Sequence, residues 1–263
     1  MSIQLPQADM SLAVTVGPWV RQAGAGRGSL AQAVATARAM GFAAVQLDVT
    51  LPGVRPRELS QTGRRDLAAL LRRAGMSLAG VDLFIPRKHF LDAGQVDRAV
   101  TAALAGITLA GEWGRVPVAL ALPVKGLGED VKAALLAGAA GSGVRLAVHA
   151  EDQTPELLAW IAEASAPALG AGLDPAAARG AGGQPDKLVH QLAKHLTVAR
   201  LSDAAADGLR CPVGAGELDV LSYRIAVQLA QGRIGPVVLD VRGTNDPQAA
   251  ATAGKQAWEA QGM

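Results

Sequence analysis

Short apolar runs recur along the chain and each closes on polar or charged residues: Leu12–Val16, Ala43–Val49, Ser77–Phe84, Val116–Leu122, Val144–His149, Ala168–Asp174, Leu196–Leu201 and Pro236–Val241. Runs of this length, apolar at consecutive positions, predict strands covered on both faces, as in a parallel sheet. Between them lie alanine- and leucine-rich stretches with helical spacing, such as "SLAQAVATARAMG" (29–41), "GRRDLAALLRRAG" (63–75) and "DKLVHQLAKHL" (186–196). Ser29 to Gln32 has the form of a capping box, in which hydroxyl and amide satisfy orphan backbone N–H groups. Thr154-Pro155 and Asp246-Pro247 set a capping side chain before a proline at the first helical position. Gly41, Gly75 and Gly143 stand where helices should stop. About eight strand–helix units in 263 residues predict an α/β fold, a (β/α)8 TIM barrel filling 1–263 as one domain. A doubly wound open sheet is the alternative.

In such a barrel chemistry gathers at the C-terminal ends of the strands. Those ends carry Gln46 and Asp48, Asp82, Lys125, His149 with Glu151 and Asp152, Asp174, Arg200 with Ser202 and Asp203, and Asp240 with Arg242. Any one of them reads as a solvated strand end or a helix cap. Their convergence on one rim points to a site.

Composition narrows the classes. Half of the residues are apolar, 18% are charged and the net charge is +2, which gives no electrostatic case for nucleic acid or an anionic membrane. Aromatic residues at 3% also argue against base-stacking platforms. One cysteine, Cys211, excludes an intramolecular disulfide and a cysteine-rich zinc site. It lacks a neighbouring histidine and does not read as a nucleophile. The opening "MSIQLPQADMSLAV" has no basic stretch followed by an apolar one, so no secretory signal is expected. No apolar run reaches the roughly 20 residues of a membrane span, and a soluble, cytoplasmic protein is expected.

Several further positions carry polar chemistry. "GAGRGS" (24–29) lacks the Lys-Ser/Thr ending of a phosphate-binding loop and reads as a flexible loop. His89, beside Arg87 and Lys88, follows the third strand, and Trp19 follows the first. His190 and His195 are five apart and do not share a helix face.

The stretches "GFAAVQLDV" (41–49), "GVRLAVHAED" (143–152), "GAGLDPAAA" (170–178), "TVARLSDA" (197–204), "RCPVGAGELD" (210–219) and "GPVVLDV" (235–241) resemble, in this order, the sugar phosphate isomerases/epimerases of the xylose isomerase-like TIM barrel superfamily. The resemblance spans essentially the whole chain, and "PVGAGELD" is its most specific piece. It implies a divalent metal held by glutamate, aspartate, histidine and glutamate after strands 5 to 8. The metal polarises substrate oxygens while the glutamates move a proton across an enediolate. Carried over, these positions fall on His149, Asp174, Arg200 and Asp240.

Arg200 departs most, because a guanidinium cannot ligate a metal and stays protonated. It is expected to pair with Asp174 and Asp240, leaving the usual metal site degraded and no cofactor. The alternative is a Mn, Mg or Zn type ion on His149, Asp174 and Asp240. The resemblance also includes DNA-repair endonucleases with several zinc ions, for which four histidines are too few.

The expected function is a sugar isomerase/epimerase-like protein binding a small polyol, sugar or sugar phosphate at the barrel mouth. In a catalytic version His149 and Asp240 transfer the proton, Asp174 orients and Arg200 stabilises an enediolate oxyanion. Gln46, Asp48, Lys125, Arg210, His89 and Trp19 are the candidate substrate contacts. The alternative is a non-catalytic pseudoenzyme keeping the barrel as a binding or assembly module. Oligomerisation is left open.

Overall fold

Eight parallel strands close into a barrel in the computed structural model, which describes residues 11–24, 26–230 and 234–262. The barrel strands are β1 (Leu12–Thr15), β2 (Ala44–Asp48), β3 (Ser77–Leu83), β4 (Val118–Ala121), β5 (Leu146–His149), β6 (Leu169–Leu173) and β7 (Leu196–Leu201). A two-stranded hairpin, β8 (Asp203–Ala204) and β9 (Arg210–Cys211), follows, and β10 (Val237–Leu239) completes the barrel. The closed order is β1-β10-β7-β6-β5-β4-β3-β2. Each predicted run holds one barrel strand. The hairpin was not predicted, because two-residue strands leave no periodicity to read.

Alternation along each strand divides the side chains between two environments. Outward positions such as Val45, Leu83, Leu120, Val148 and Leu239 join the core shared with the helices. Some helices come close because they are small where they touch. A methyl on Gly106 or Gly254 would run into Leu83 or Leu239. Inward positions low in the barrel form a separate small cluster of Ala13, Ala44, Ala147, Val198 and Val238. Two residues further along the same strands, the lumen turns polar: Thr15, Gln46, His149, Arg200 and Asp240 are all buried. Small side chains below leave the upper lumen to large, hydrogen-bonded ones.

Helix ends follow their local chemistry with two corrections. The Asp246 carboxylate accepts from the N–H groups of Gln248 (3.0 Å) and Ala249 (2.9 Å), as its sequence predicts. Ser29 instead lies inside the helix Arg27–Ala39, whose N-cap is Gly26, and its hydroxyl donates to the Ala23 carbonyl at 2.8 Å. Thr154 begins the helix Thr154–Ala164 and does not cap it. The helix Pro185–Leu192 stops before His195. Gly143 ends the helix Glu129–Ser142 with φ 67°, the left-handed conformation that a side chain would strain. No helix among the described residues is long and apolar enough to cross a membrane.

Candidate functional site

The upper lumen is filled by a network of three carboxylates and three guanidiniums. Arg200, at the end of β7, spans the barrel: it donates to Asp240 Oδ2 at 2.8 Å and to Asp82 Oδ1. All three side chains are at most 3% exposed. The expectation that Arg200 pairs with Asp174 is corrected here, since Asp82 takes that place. Asp174 is held by Arg210, from β9, and by Arg242 at 3.5 Å. Both arginines also reach Asp240, Arg210 at 3.4 Å and Arg242 through Nε at 2.8 and 2.9 Å. Thr15 donates to Asp240 Oδ1 at 3.5 Å, and Gln46 donates to Asp82 at 2.6 Å.

Sequence, topology and charge together explain this closure. Taking a carboxylate out of water costs several kcal/mol unless it is paired and hydrogen-bonded, and the forked guanidinium offers paired donors in fixed geometry. Burial alone would raise the Asp174 carboxyl, but Arg210, aided by Arg200 and Arg242, holds it at about 2 against the repulsion of Asp240. Asp240 also resists burial and lies well below the usual carboxylate range, held there by Arg242, Arg200 and Arg210. Arg200 is desolvated, yet Asp82 and Asp240 raise its affinity for its proton. The Phe84 ring lies under two of the cations, 3.9 Å from the Arg242 guanidinium carbon and 5.6 Å from that of Arg200. The Tyr223 hydroxyl, fully buried, donates to the Arg200 carbonyl at 2.7 Å and fixes the strand end.

His149 sits beside this network. Its Nδ1 lies 2.9 Å from Glu151 Oε1, which also accepts from the Asp174 N–H at 2.8 Å. Its Nε2 is buried and has no hydrogen-bond partner among the described residues. The ring occupies the space over Gly172, where an added methyl would overlap the imidazole. Glu151 stands two residues beyond His149, on the rim where the sequence places it. A single 3-10 turn, Glu151–Gln153, folds its side chain back toward the lumen.

The loop "PVGAGELD" is organised by Asp203. Its carboxylate accepts from the N–H groups of Ala204 (2.8 Å), Gly214 (3.0 Å), Gly216 (3.1 Å) and Leu218 (3.0 Å). Gly216 has to be glycine for this approach, since a Cβ there would strike both Asp203 and the Ala204 carbonyl. Asp203 thereby anchors the segment that carries Arg210.

The remaining candidates do not converge. Asp48 is tied to Arg21 at 3.1 Å and to the Thr50 N–H at 2.9 Å, and burial raises its carboxyl. Trp19 is packed in the core. Lys125 is exposed, with its backbone N–H donating to Gln153 at 2.9 Å. His89 lines a separate cleft next to the mouth. Burial raises the Cys211 thiol, which is partly exposed. In the glycine-rich loop, Ala25 lies outside the described residues. Asp82 and Arg242, which the sequence placed on the rim without a role, are full members of the network. Among the described residues no three His, Cys, Asp or Glu groups are arranged to hold a metal ion.

No protein-family model matches the chain, and no curated relative matches it. Solved structures do. The 3-keto-D-glucoside 4-epimerase of E. coli superposes with TM-score 0.76 at 12% identity, over 96% of this chain and all of that one. D-Psicose 3-epimerase from Clostridium cellulolyticum H10, solved with D-tagatose, gives 0.73 at 12% identity, over 95% and 99%. A xylose isomerase-like TIM barrel protein from Mycobacterium smegmatis, in complex with magnesium, gives 0.68 at 14% identity, over 96% and 97%. The fold is therefore that of the xylose isomerase-like TIM barrels.

Proposed function

We propose that this chain is a metal-independent, sugar isomerase/epimerase-like barrel that holds a carbohydrate-like small molecule at its C-terminal mouth. The observation that carries this reading is Arg200, forked between Asp82 and Asp240 inside the lumen. The residues present do not fit a divalent cation. Asp174 Oδ2 and Asp240 accept from guanidiniums, and Asp174 Oδ1 accepts from the Ser202 hydroxyl at 2.6 Å; a guanidinium offers no lone pair of its own. At an effective dielectric near 20, a unit charge ~4 Å from a cation repels it by about 4 kcal/mol per unit of its charge. Two sugar epimerases share the fold, one of them solved with D-tagatose, which supports a ligand of that class. Arg210 and Arg242 keep 24% and 22% of their side chains exposed and can donate to hydroxyl or phosphate oxygens from the rim.

Turnover is a different matter from binding. Carboxylates held ionised so far down are weak proton acceptors, and Arg200 is committed to Asp82 and Asp240. One observation favours a second reading, residual proton transfer by His149. Its Nδ1 is oriented by Glu151 and its buried Nε2 has no partner among the described residues, the arrangement of a positioned imidazole base.

Ligand-observed NMR on a ketohexose panel in D2O, with and without added Mn2+, tests both. Saturation transfer to sugar protons is expected, with no deuterium entering at the carbon beside the carbonyl. Exchange that depends on Mn2+, or a complete lack of saturation transfer, would overturn the proposal. Metal-free exchange that disappears in His149→Gln would select the second reading.

A further inference from the structure

The loop that follows β2 and the first half of the helix Val96–Glu112 enclose a cleft of about 730 Å³ beside the mouth. That lies within the size of sites for drug-sized ligands. Its inner wall is Phe84 and Ile85, and the helix contributes small side chains at Ala99, Ala102 and Ala105 beside the longer Asp97 and Arg98 of its first turn. The space is open because the helix offers methyl groups where longer side chains would fill it.

Charge around this cleft is one-sided. Arg55 is compensated by Glu58 at 3.2 Å. Arg57 and Arg98 make no hydrogen bond or ion pair within 4 Å among the described residues, although Arg57 shares the field of Glu58 with Arg55, and Asp97 is the one carboxylate in the lining. His89 stands on the same lining. The mouth differs in kind, since its three guanidiniums are matched by three carboxylates.

We infer that this cleft is a binding site for a small organic anion, a carboxylate or phosphate ester on an apolar body. The oxyanion would meet Arg57 and Arg98, with the body against Phe84, Ile85, Ala102 and Ala105. An aromatic wall suits a planar or branched body, and unpaired guanidiniums suit oxyanions with parallel lone pairs. The inference is independent of what the mouth binds. The two places meet at Phe84, which lines the cleft and also lies under Arg242 and Arg200.

Calorimetric titration of the full chain with phenyl phosphate, benzyl alcohol and inorganic phosphate tests the assignment. Phenyl phosphate is expected to bind about ten-fold or more tightly than either fragment alone, because both charge and apolar body contribute. The double variant Arg57→Ala/Arg98→Ala should lose about ten-fold in affinity. Ala102→Trp, at an exposed helix position, should abolish binding while leaving the thermal melt unchanged. No binding of phenyl phosphate at millimolar concentration, equal binding of benzyl alcohol, or full affinity in Ala102→Trp would each overturn it. A solution dimer that Ala102→Trp dissociates would also overturn it, by giving the cleft to a second copy of the chain.

Discussion

Replacing Arg200 by methionine is expected to lower the unfolding free energy by about 3–5 kcal/mol, the cost of leaving buried charge without its partner. Methionine matches much of the arginine stem in volume, so the loss measures charge more than a cavity. Two carboxylates are affected at once: among the described residues Asp82 retains only Gln46 as a side-chain donor, while Asp240 retains Arg210, Arg242 and Thr15. The damage should therefore fall chiefly on Asp82. Arg200→Met/Asp82→Asn is accordingly expected to recover a substantial part of the loss in urea unfolding. Arg200→Lys should be intermediate, because one ammonium cannot reproduce the fork across the lumen. Equal stability of wild type and Arg200→Met would show that the network is not closed as described.

Asp203→Ala is expected to cost about 3 kcal/mol, since it removes the acceptor for four backbone N–H groups, each worth about 1 kcal/mol net and partly recovered by water. Gly214 and Gly216 are exposed enough to hydrate, whereas the Leu218 N–H bond is buried. Amide hydrogen exchange should speed up at Gly214, Gly216 and Leu218, and urea unfolding should shift to lower concentration. The same loop restrains β9, which pairs Ala204 with Arg210. Asp203→Ala is thus also expected to loosen Arg210 from Asp174. Unchanged exchange at the two glycines would show that the loop holds its shape without Asp203.

The barrel was legible because strands buried on both faces leave unbroken apolar runs, and eight such runs alternate with helical spacing. The rim was legible for a related reason: charge enters the apolar runs at or near their C-terminal ends, as at Arg200 and Asp240. The choice of partner was not. Arg200 meets Asp82 rather than Asp174 because the stagger of the closed barrel sets which inward residues face one another across the lumen, and that stagger leaves no trace in local sequence. The contact of Glu151 with His149 was not legible, because the single 3-10 turn that makes it leaves no periodicity to read. Ser29 has the pattern of a cap, but the helix begins two residues earlier, after Gly26. The cleft beside Phe84 escaped notice because small side chains such as Ala102 mark an empty space only once their neighbours are known.

A guanidinium–carboxylate network stands where the resemblance implies a metal. The most direct test is a crystal soaked in millimolar manganese chloride, measured for anomalous scattering. No manganese peak is expected within ligand distance of His149, Asp174 or Asp240, with Arg200 still forked between Asp82 and Asp240. A manganese ion held by those three side chains, with Arg200 turned away, would contradict it.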